Sequence, residues 1–340
     1  MRTPAASVII ANFNGVSYLP DCLNALSCQS FRDFEVVVVD NGSVDDSVEL
    51  MTRDYPWVTV VRLDGNHGFA RANNIGFERS SGAFIATLNN DTIVGERWLE
   101  ELVIAMDIDP SIGMVASKIF LGREGRRLDS VGMLVYPDGM SRQRGRLETD
   151  RGQFDDSPDV LFPSACAALY RRRMLEETGF FDEDFFSYCE DSDLGLRCRL
   201  AGWRAVLAPK AEVRHLYSRT GGTYSEFKAY YVERNHKMVL LKNLPLSYIA
   251  FSPFYTLLRY GAQFYGIVSG RGSAARFAEG APRGSLFRLM LRVYRDLIIG
   301  LPQCLGKRRA VWRLKKISLK AYRTMLSAAR IGVIDLVLTD

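Results

Sequence analysis

The 340-residue sequence predicts an α/β fold: a mostly parallel sheet flanked by helices, followed by a helical, basic C-terminal region. Three observations lead there. Apolar runs of strand length alternate with helical patterns through the first third of the chain. Acids and amides stand directly after those runs. The charge is also split: residues 241–340 carry 17 Lys+Arg against 4 Asp+Glu, a balance of +13, while residues 1–240 carry 27 against 35, a balance of −8. An acidic front suits a metal, and a basic rear suits a polyanion, either nucleic acid or anionic lipid.

Ser7–Asn12 (SVIIAN) reads as a buried strand, with a helical stretch over Tyr18–Leu26. Phe34–Val39 (FEVVVV) is a second strand, ending at Asp40 and the turn Asn41-Gly42-Ser43. A helix over Val48–Asp54, a strand at Val58–Leu63, a helix at Ala70–Glu78 and a strand at Ala83–Leu88 continue the alternation. A half-exposed strand would alternate apolar with polar residues, so continuous runs indicate a parallel sheet covered on both faces. Right-handed crossovers then put ligands at the carboxyl ends of the strands. After residue 110 the pattern is less regular, and residues 122–160, rich in Gly, Arg, Asp and Pro, predict a hairpin and a mobile loop. A helix through Asp191–Ala201 and a short strand at Ala205–Leu207 follow.

The apolar and charged fractions, 47% and 24%, are those of a globular protein and argue against long disordered stretches. Cys22, Cys28, Cys166, Cys189, Cys198 and Cys304 form no C-x-x-C pair. That argues against a zinc knuckle or disulfide framework and for a reducing cytoplasm. The N-terminus enters a strand-like run almost at once and lacks the long apolar region of a signal peptide. No G-x-G-x-x-G follows the first strand, which argues against a Rossmann dinucleotide enzyme.

Asp40 ends the second strand and Asp91 follows the fourth, so both converge on one crevice in a sheet wound this way. Asn89-Asn90-Asp91-Thr92 is oxygen-rich, as Mg²⁺ or Mn²⁺ requires. The same tetrapeptide also suits an Asn-rich turn with a helix N-cap. Glu190-Asp191-Ser192-Asp193 sets three carboxylates at a helix start, where the helix dipole alone accounts for them. The aromatic run before them, Phe180 to Tyr188, would also strip hydration from a carboxylate and raise its pKa toward that of a general base. None of the three histidines lies in a local metal motif, so spacing alone does not single out His215.

Taken in order, SVIIANFNG, VVVDNGSVDDS, NHGFARANNIG, LNNDT, FFDEDFFSYCEDSDLGLRCRLAGW and AEVRH resemble glycosyltransferase family 2. The likeness is to its bacterial branch of rhamnosyltransferases and covers roughly residues 6–220. It implies a GT-A fold over 1–225 and an inverting, metal-dependent transfer of a sugar, rhamnose from dTDP-rhamnose, to a lipid-linked saccharide in cell-surface polysaccharide assembly. It also implies roles. Phe13 stacks on the donor base and Asp40 hydrogen-bonds it. Asn14, Arg71, Asn74 and Asn90 line the nucleotide. Asp91 and His215 hold Mg²⁺ or Mn²⁺, and Asp191 is the catalytic base. Asn89 replaces the first acid of the metal motif, and Ser164 stands where many relatives have Gly. The Q-x-x-R-W motif of processive synthases is absent, so a single transfer per acceptor is expected. A UDP donor of galactofuranose or N-acetylglucosamine is the alternative within enzymes, and an inactive membrane-bound scaffold is the alternative outside them.

Residues 226–340 are expected to be helical, basic and membrane-associating. The uncharged stretch Leu244–Leu258 ends at Arg259, short of the ~20 residues that cross a bilayer. Leu286–Leu301 and Ala310–Leu326 mix apolar residues with Arg and Lys, and Lys307, Arg308, Arg309, Arg313, Lys315, Lys316, Lys320 and Arg323 form a dense basic group. Amphipathic helices on anionic lipid have this composition, as does a helical subdomain with solvated faces. No nucleic-acid motif is present. The partners expected are therefore a nucleotide-diphosphate sugar, a polyprenyl-diphosphate-linked saccharide and the inner face of the cell membrane, with no nucleic acid.

Overall fold

The computed structural model describes residues 3–156, 158–216, 225–280 and 284–339. The chain begins with β1 (Ala6–Asn12), α1 (Leu19–Ser27), β2 (Phe34–Asp40), α2 (Ser47–Asp54), β3 (Thr59–Arg62), α3 (Gly68–Glu78) and β4 (Phe84–Leu88). Next come β5 (Thr92–Val94), α4 (Trp98–Asp107), β6 (Ile112–Leu121), β7 (Leu128–Ser130), β8 (Met133–Val135) and β9 (Ser141–Gln143). β10 (Ala167–Arg171), α5 (Arg172–Thr178), a 3-10 turn at Glu183–Phe185, α6 (Glu190–Leu200) and β11 (Arg204–His215) follow. The rest is helical: α7 (Glu226–Asn243), α8 (Leu246–Ser269), α9 (Gly272–Gly280), α10 (Ser285–Arg313), α11 (Leu319–Ala328) and α12 (Val333–Leu338). Two units result. One runs up to Met133 and resumes at Gln143 through β11, and the other takes Leu134–Arg142 with α7 to α12.

In the first unit the sheet order is β3-β2-β1-β4-β10-β6-β11-β5, with β7 on β6. β1 to β4 are parallel, as the alternation predicts. β10 enters antiparallel between β4 and β6, and β5 is antiparallel to β11. β2 shows why its run is continuous. Val36 and Val38 pack with Val8, Ile10, Leu23 and Trp98 under one face, and Val37 and Val39 with Ala72 and Ile75 under the other. Burying each such side chain is worth about 1.5–3 kcal/mol, and a one-residue slip would carry every strand-end residue to the opposite face. The register is thereby fixed, with Asn12 beside Asp40.

Several elements differ from expectation. The short strand at Ala205–Leu207 is the start of a 12-residue strand reaching His215. Its register shifts between Ala208 and Glu212, where Pro209 and Lys210 interrupt the apolar pattern. The hairpin in 122–160 is β8 with β9. In the loop beyond it, buried Lys118 reaches Asp150 at 3.3 Å and Asp155 at 2.6 Å, and Arg126 reaches Asp150 at 2.7 Å.

In the second unit α8 runs straight through Arg259, the residue expected to end the apolar stretch. Arg259 is buried, not a boundary. Its Nε donates to Asp138 Oδ2 at 2.8 Å, and its two terminal nitrogens donate to Glu233 at 3.0 and 2.7 Å. It also donates to His236 Nε2 at 3.2 Å, while His236 Nδ1 donates to the Val232 carbonyl at 2.9 Å, so the ring is neutral in a fixed tautomer. Leu286–Leu301 is likewise part of one helix that continues past Pro302 to Arg313. Ala310–Leu326 is not one segment: Ser318 accepts from Ala321 N at 3.1 Å and starts α11 afresh. Arg308 donates to the Leu241 and Leu244 carbonyls at 2.8 Å each and so closes the end of α7.

Arg259→Met should destabilise the helical unit by about 3–5 kcal/mol, because it strands two buried carboxylates; urea unfolding followed by circular dichroism reads this, and an unchanged midpoint would contradict it. Acid should act through two groups. Burial holds His236 at about 4 against 6.5, so the unfolded chain protonates first and stability falls as pH drops across that window. Burial pushes Glu233 up, but Arg259 outweighs it and holds the acid at about 2 against 4.5. Its contribution is complete above 4.5 and is lost as pH falls through 2. Melting temperatures that stay flat between neutral pH and acid would contradict both assignments.

Candidate active site

The site begins where β1 and β2 end. Asn12 and Asp40 are fully buried neighbours. Asn12 Nδ2 donates to Asp40 Oδ1 at 3.0 Å and to Ser43 Oγ at 3.2 Å, and Asn12 Oδ1 accepts from Asn90 Nδ2 at 2.8 Å. Ser43 N donates to Asp40 Oδ2 at 3.1 Å. Asn14, in the left-handed region at φ 50°, donates its backbone N–H to Ser43 Oγ at 2.9 Å and accepts from Val44 N at 2.9 Å. One amide thus ties three strand-end loops together, and partly exposed Phe13 stands between its two asparagine neighbours. Gly15 must lack a side chain here: a Cβ would lie 2.2 Å from Asn12 Oδ1 and 2.3 Å from Asn90 Nδ2.

Asp91 and His215 arrive from different elements. Asp91, 5% exposed, follows β4, and its Oδ1 lies 3.4 Å from Nε2 of His215 at the end of β11. His215 Nδ1 faces Asp129 Oδ2 at 2.8 Å, and Asp129 also pairs with Arg146. A carboxylate behind an imidazole fixes the tautomer and raises the basicity of the other nitrogen, the arrangement found behind metal-ligating histidines. Burial disfavours the imidazolium, but Cys166, Asp129 and Asp91 outweigh it and push His215 well above its ordinary pKa. The surroundings therefore favour positive charge at Nε2. Among the described residues no three His, Cys, Asp or Glu side chains are set to hold an ion by themselves. One carboxylate and one imidazole fit Mg²⁺ or Mn²⁺ completed by phosphate oxygens.

Asp191 opens α6. Tyr188 and Cys189 before it both adopt positive φ, 69° and 66°, a backbone cost of about 1–3 kcal/mol each for residues with a Cβ. Phe186 O accepts from Ala70 N at 3.1 Å, and a Cβ on Gly68 would lie 2.4 Å from that oxygen, so the segment before α6 sits tight on the start of α3. Asp191 Oδ1 accepts from Ser192 N at 2.7 Å and Ser192 Oγ at 3.1 Å, and Oδ2 accepts from Ala165 N at 3.4 Å. Glu190 is buried, and its Oε2 has no hydrogen-bond partner. Burial and the charge of Asp191 push Glu190 up, and burial pushes Asp191 up despite its three hydrogen bonds. As a residue Asp191 is partly exposed, whereas Glu190 is buried. Asp193 is different: Arg197 pairs with it at 3.0 Å, which makes it structural.

The loop before β10 links these parts. Asn89 N donates to Cys166 O at 2.8 Å, next to the Ala165 that bonds Asp191. Asp40, Asn14 and Asn90 share one network, and Asp91 meets His215. Asn74 is spent on Phe181: Nδ2 donates to its carbonyl at 2.9 Å and Oδ1 accepts from its N–H at 3.1 Å. Arg71 lies 4.0 Å from Glu183. Asn12, Ser43 and Asp129 were not singled out from sequence. An amide closing a wholly apolar strand is a readable signal for Asn12, but nothing local marks Asp129.

A mostly parallel sheet with a bonded acid at one strand end, an acid–histidine pair at another and a desolvated carboxylate at a helix start is the architecture of a GT-A glycosyltransferase. Residues 7–179 match the family model for glycosyl transferase family 2, and the chain belongs to that family. It is similar to the N-acetylglucosaminyl-diphospho-decaprenol L-rhamnosyltransferase of Mycobacterium tuberculosis, 28% identical over 65% of this chain and 78% of the relative. It is also similar to the O-antigen chain rhamnosyltransferase RfbN of Salmonella typhimurium, 25% identical over 66% of this chain and 70% of that one. In structure it resembles residues 1–349 of S. aureus TarS, with TM-score 0.55, 18% identity, and 95% and 90% of the two chains covered. Gly15→Ala should lower the melting temperature and weaken nucleoside-diphosphate binding at least about tenfold, because a crowded Asn12 cannot keep its bonds; calorimetric titration giving wild-type affinity would contradict the hub.

Proposed function

We propose that the chain transfers rhamnose from dTDP-rhamnose, with inversion and with a divalent metal, to a polyprenyl-diphosphate-linked saccharide in cell-surface polysaccharide assembly. The observation that carries this reading is Asp191, a partly exposed residue whose carboxyl is raised in pKa by burial, one loop away from the Asp91–His215 pair. The names of the Mycobacterium and Salmonella relatives, both rhamnosyltransferases, support the sugar, and the first of them supports the lipid-linked acceptor. Residues 1–225 would carry the chemistry. Residues 226–340 would attach the protein peripherally to the anionic inner face of the cell membrane. Among the described residues no helix is long and apolar enough to cross a membrane.

In this mechanism Phe13 stacks on the donor base and Asp40 accepts from it, while Asn14, Arg71 and Asn90 line the nucleotide and Asn74 braces the 181–183 segment beside it. Asp91 and His215 would hold Mg²⁺ or Mn²⁺, which when bound neutralises the departing diphosphate. Asp191 takes the proton of the acceptor hydroxyl as that oxygen bonds the anomeric carbon. The bond from that carbon to the diphosphate oxygen breaks, and the nucleoside diphosphate leaves from the opposite face. Burial helps, because a carboxylate with a raised pKa is the stronger base.

Asp191→Asn should lower kcat by about 10²–10⁴-fold while leaving donor affinity near wild type, since the base acts on the acceptor; near-normal turnover would remove Asp191 from this role. The base must be deprotonated, so the wild-type rate should fall as pH drops through a value above that of an ordinary aspartate. Chelator should stop transfer and Mg²⁺ or Mn²⁺ should restore it, and Asp91→Ala should weaken donor binding and turnover together. Full activity in excess chelator would mean that protein cations alone neutralise the leaving group.

A further inference from the structure

We infer that the outer faces of α8 and α10 are the surface by which this protein lies in an anionic bilayer, with apolar side chains inserted among the lipids and arginines at the headgroups. The inference rests on the membrane attachment proposed above and names the surface that makes it. The polarity of α8 is inverted. Its inward positions are Ser252, which donates to the Ile249 carbonyl of its own helix, and Thr256 and Arg259, which are bonded to Asp138 and Glu233. Its outward positions are Phe251, Phe254, Leu257, Phe264 and Val268, each more than half exposed. A helix packed on a water-soluble core has the reverse arrangement.

α10 repeats the pattern. Phe287, Leu291, Tyr294, Ile298, Leu301 and Leu305 recur every three or four residues and are all exposed, Ile298 by 71%. Arg288, Arg292 and Arg295 follow successive members of that stripe and so flank it on one side. Tyr260 and Tyr294 hydroxyls lie 3.3 Å apart, so α8 and α10 touch through these two tips at the middle of the stripe. Such a patch on a soluble surface marks an interaction site. Charge selects its occupant. Asp296 is the one acid in the sequence of α10, against seven Lys and Arg, and α8 has none. A second copy laid on this face would oppose arginine to arginine, whereas anionic lipid supplies the complementary sign together with an apolar interior. Arg309 adds to the attraction, but Arg308 is engaged at the end of α7.

The test is flotation of the full chain with vesicles of phosphatidylethanolamine and phosphatidylglycerol, and with phosphatidylcholine vesicles as the neutral control. Wild type should float with the anionic vesicles, and part of the binding should survive high salt because the apolar insertion is not screened. The combined variant Phe254→Gln, Leu257→Gln, Phe264→Gln and Ile298→Gln should lose partitioning by on the order of a hundredfold or more, with unchanged melting temperature. Each single substitution should give a smaller graded loss, which keeps the test decisive if the combined variant misfolds. Partitioning equal to wild type in these variants would overturn the inference, as would a wild-type dimer that the substitutions dissolve and that never binds vesicles. The readings separate cleanly. Flotation without sugar transfer would fail the proposed reaction alone, and transfer to a water-soluble acceptor by a chain that never floats would fail the membrane face alone.

Discussion

The hydrogen bond between Asn12 and Asp40 is the interaction on which the site depends. It exists because two wholly buried parallel strands end in register. The same amide holds Ser43 and Asn90, so the strand-end turns of β1, β2 and β4 are set by one side chain. Asp91 is the next residue after Asn90, and its approach to His215 follows from that placement. A carboxylate such as Asp40 is tolerable in a dry strand end only when its oxygens are bonded, and the two donors it receives meet that requirement.

The molecule buries carboxylates in two ways, and the contrast separates structure from chemistry. Asp138 and Glu233 surround a guanidinium that outweighs the cost of burial, and both are held below the usual range. Glu190 and Asp191 have no such partner among their hydrogen bonds, and both are pushed up. A group kept charged by an arginine stabilises a fold but is a poor proton acceptor. A group desolvated without a cation costs stability, and it is suited to taking a proton. Asp193, within the same acidic run, is paired with Arg197.

Legibility in the sequence followed periodicity. β1 to β4 were readable because burial on both faces leaves runs such as FEVVVV, and the acids at their ends were readable because strand ends define the crevice. β11 was read as three residues since Pro209, Lys210 and Glu212 break its pattern, while its pairing with β6 and β5 carries it to His215. Asp129 carried no local signal, because its meaning comes only from a histidine 86 positions later in the chain. Arg259 misled for the opposite reason. A charge inside an apolar run reads as a boundary, yet its partners Asp138 and Glu233 lie in other segments that bury it.

The central claim is that Asp191 activates an acceptor on the face opposite the leaving diphosphate. The most direct test is the anomeric configuration of the product formed from dTDP-rhamnose and a polyprenyl-diphosphate-linked saccharide, read from one-bond carbon–proton coupling by NMR. The account predicts a single linkage with the configuration opposite to that of the donor. A product that retains the donor's configuration would contradict it, because retention requires a different arrangement of nucleophile and leaving group.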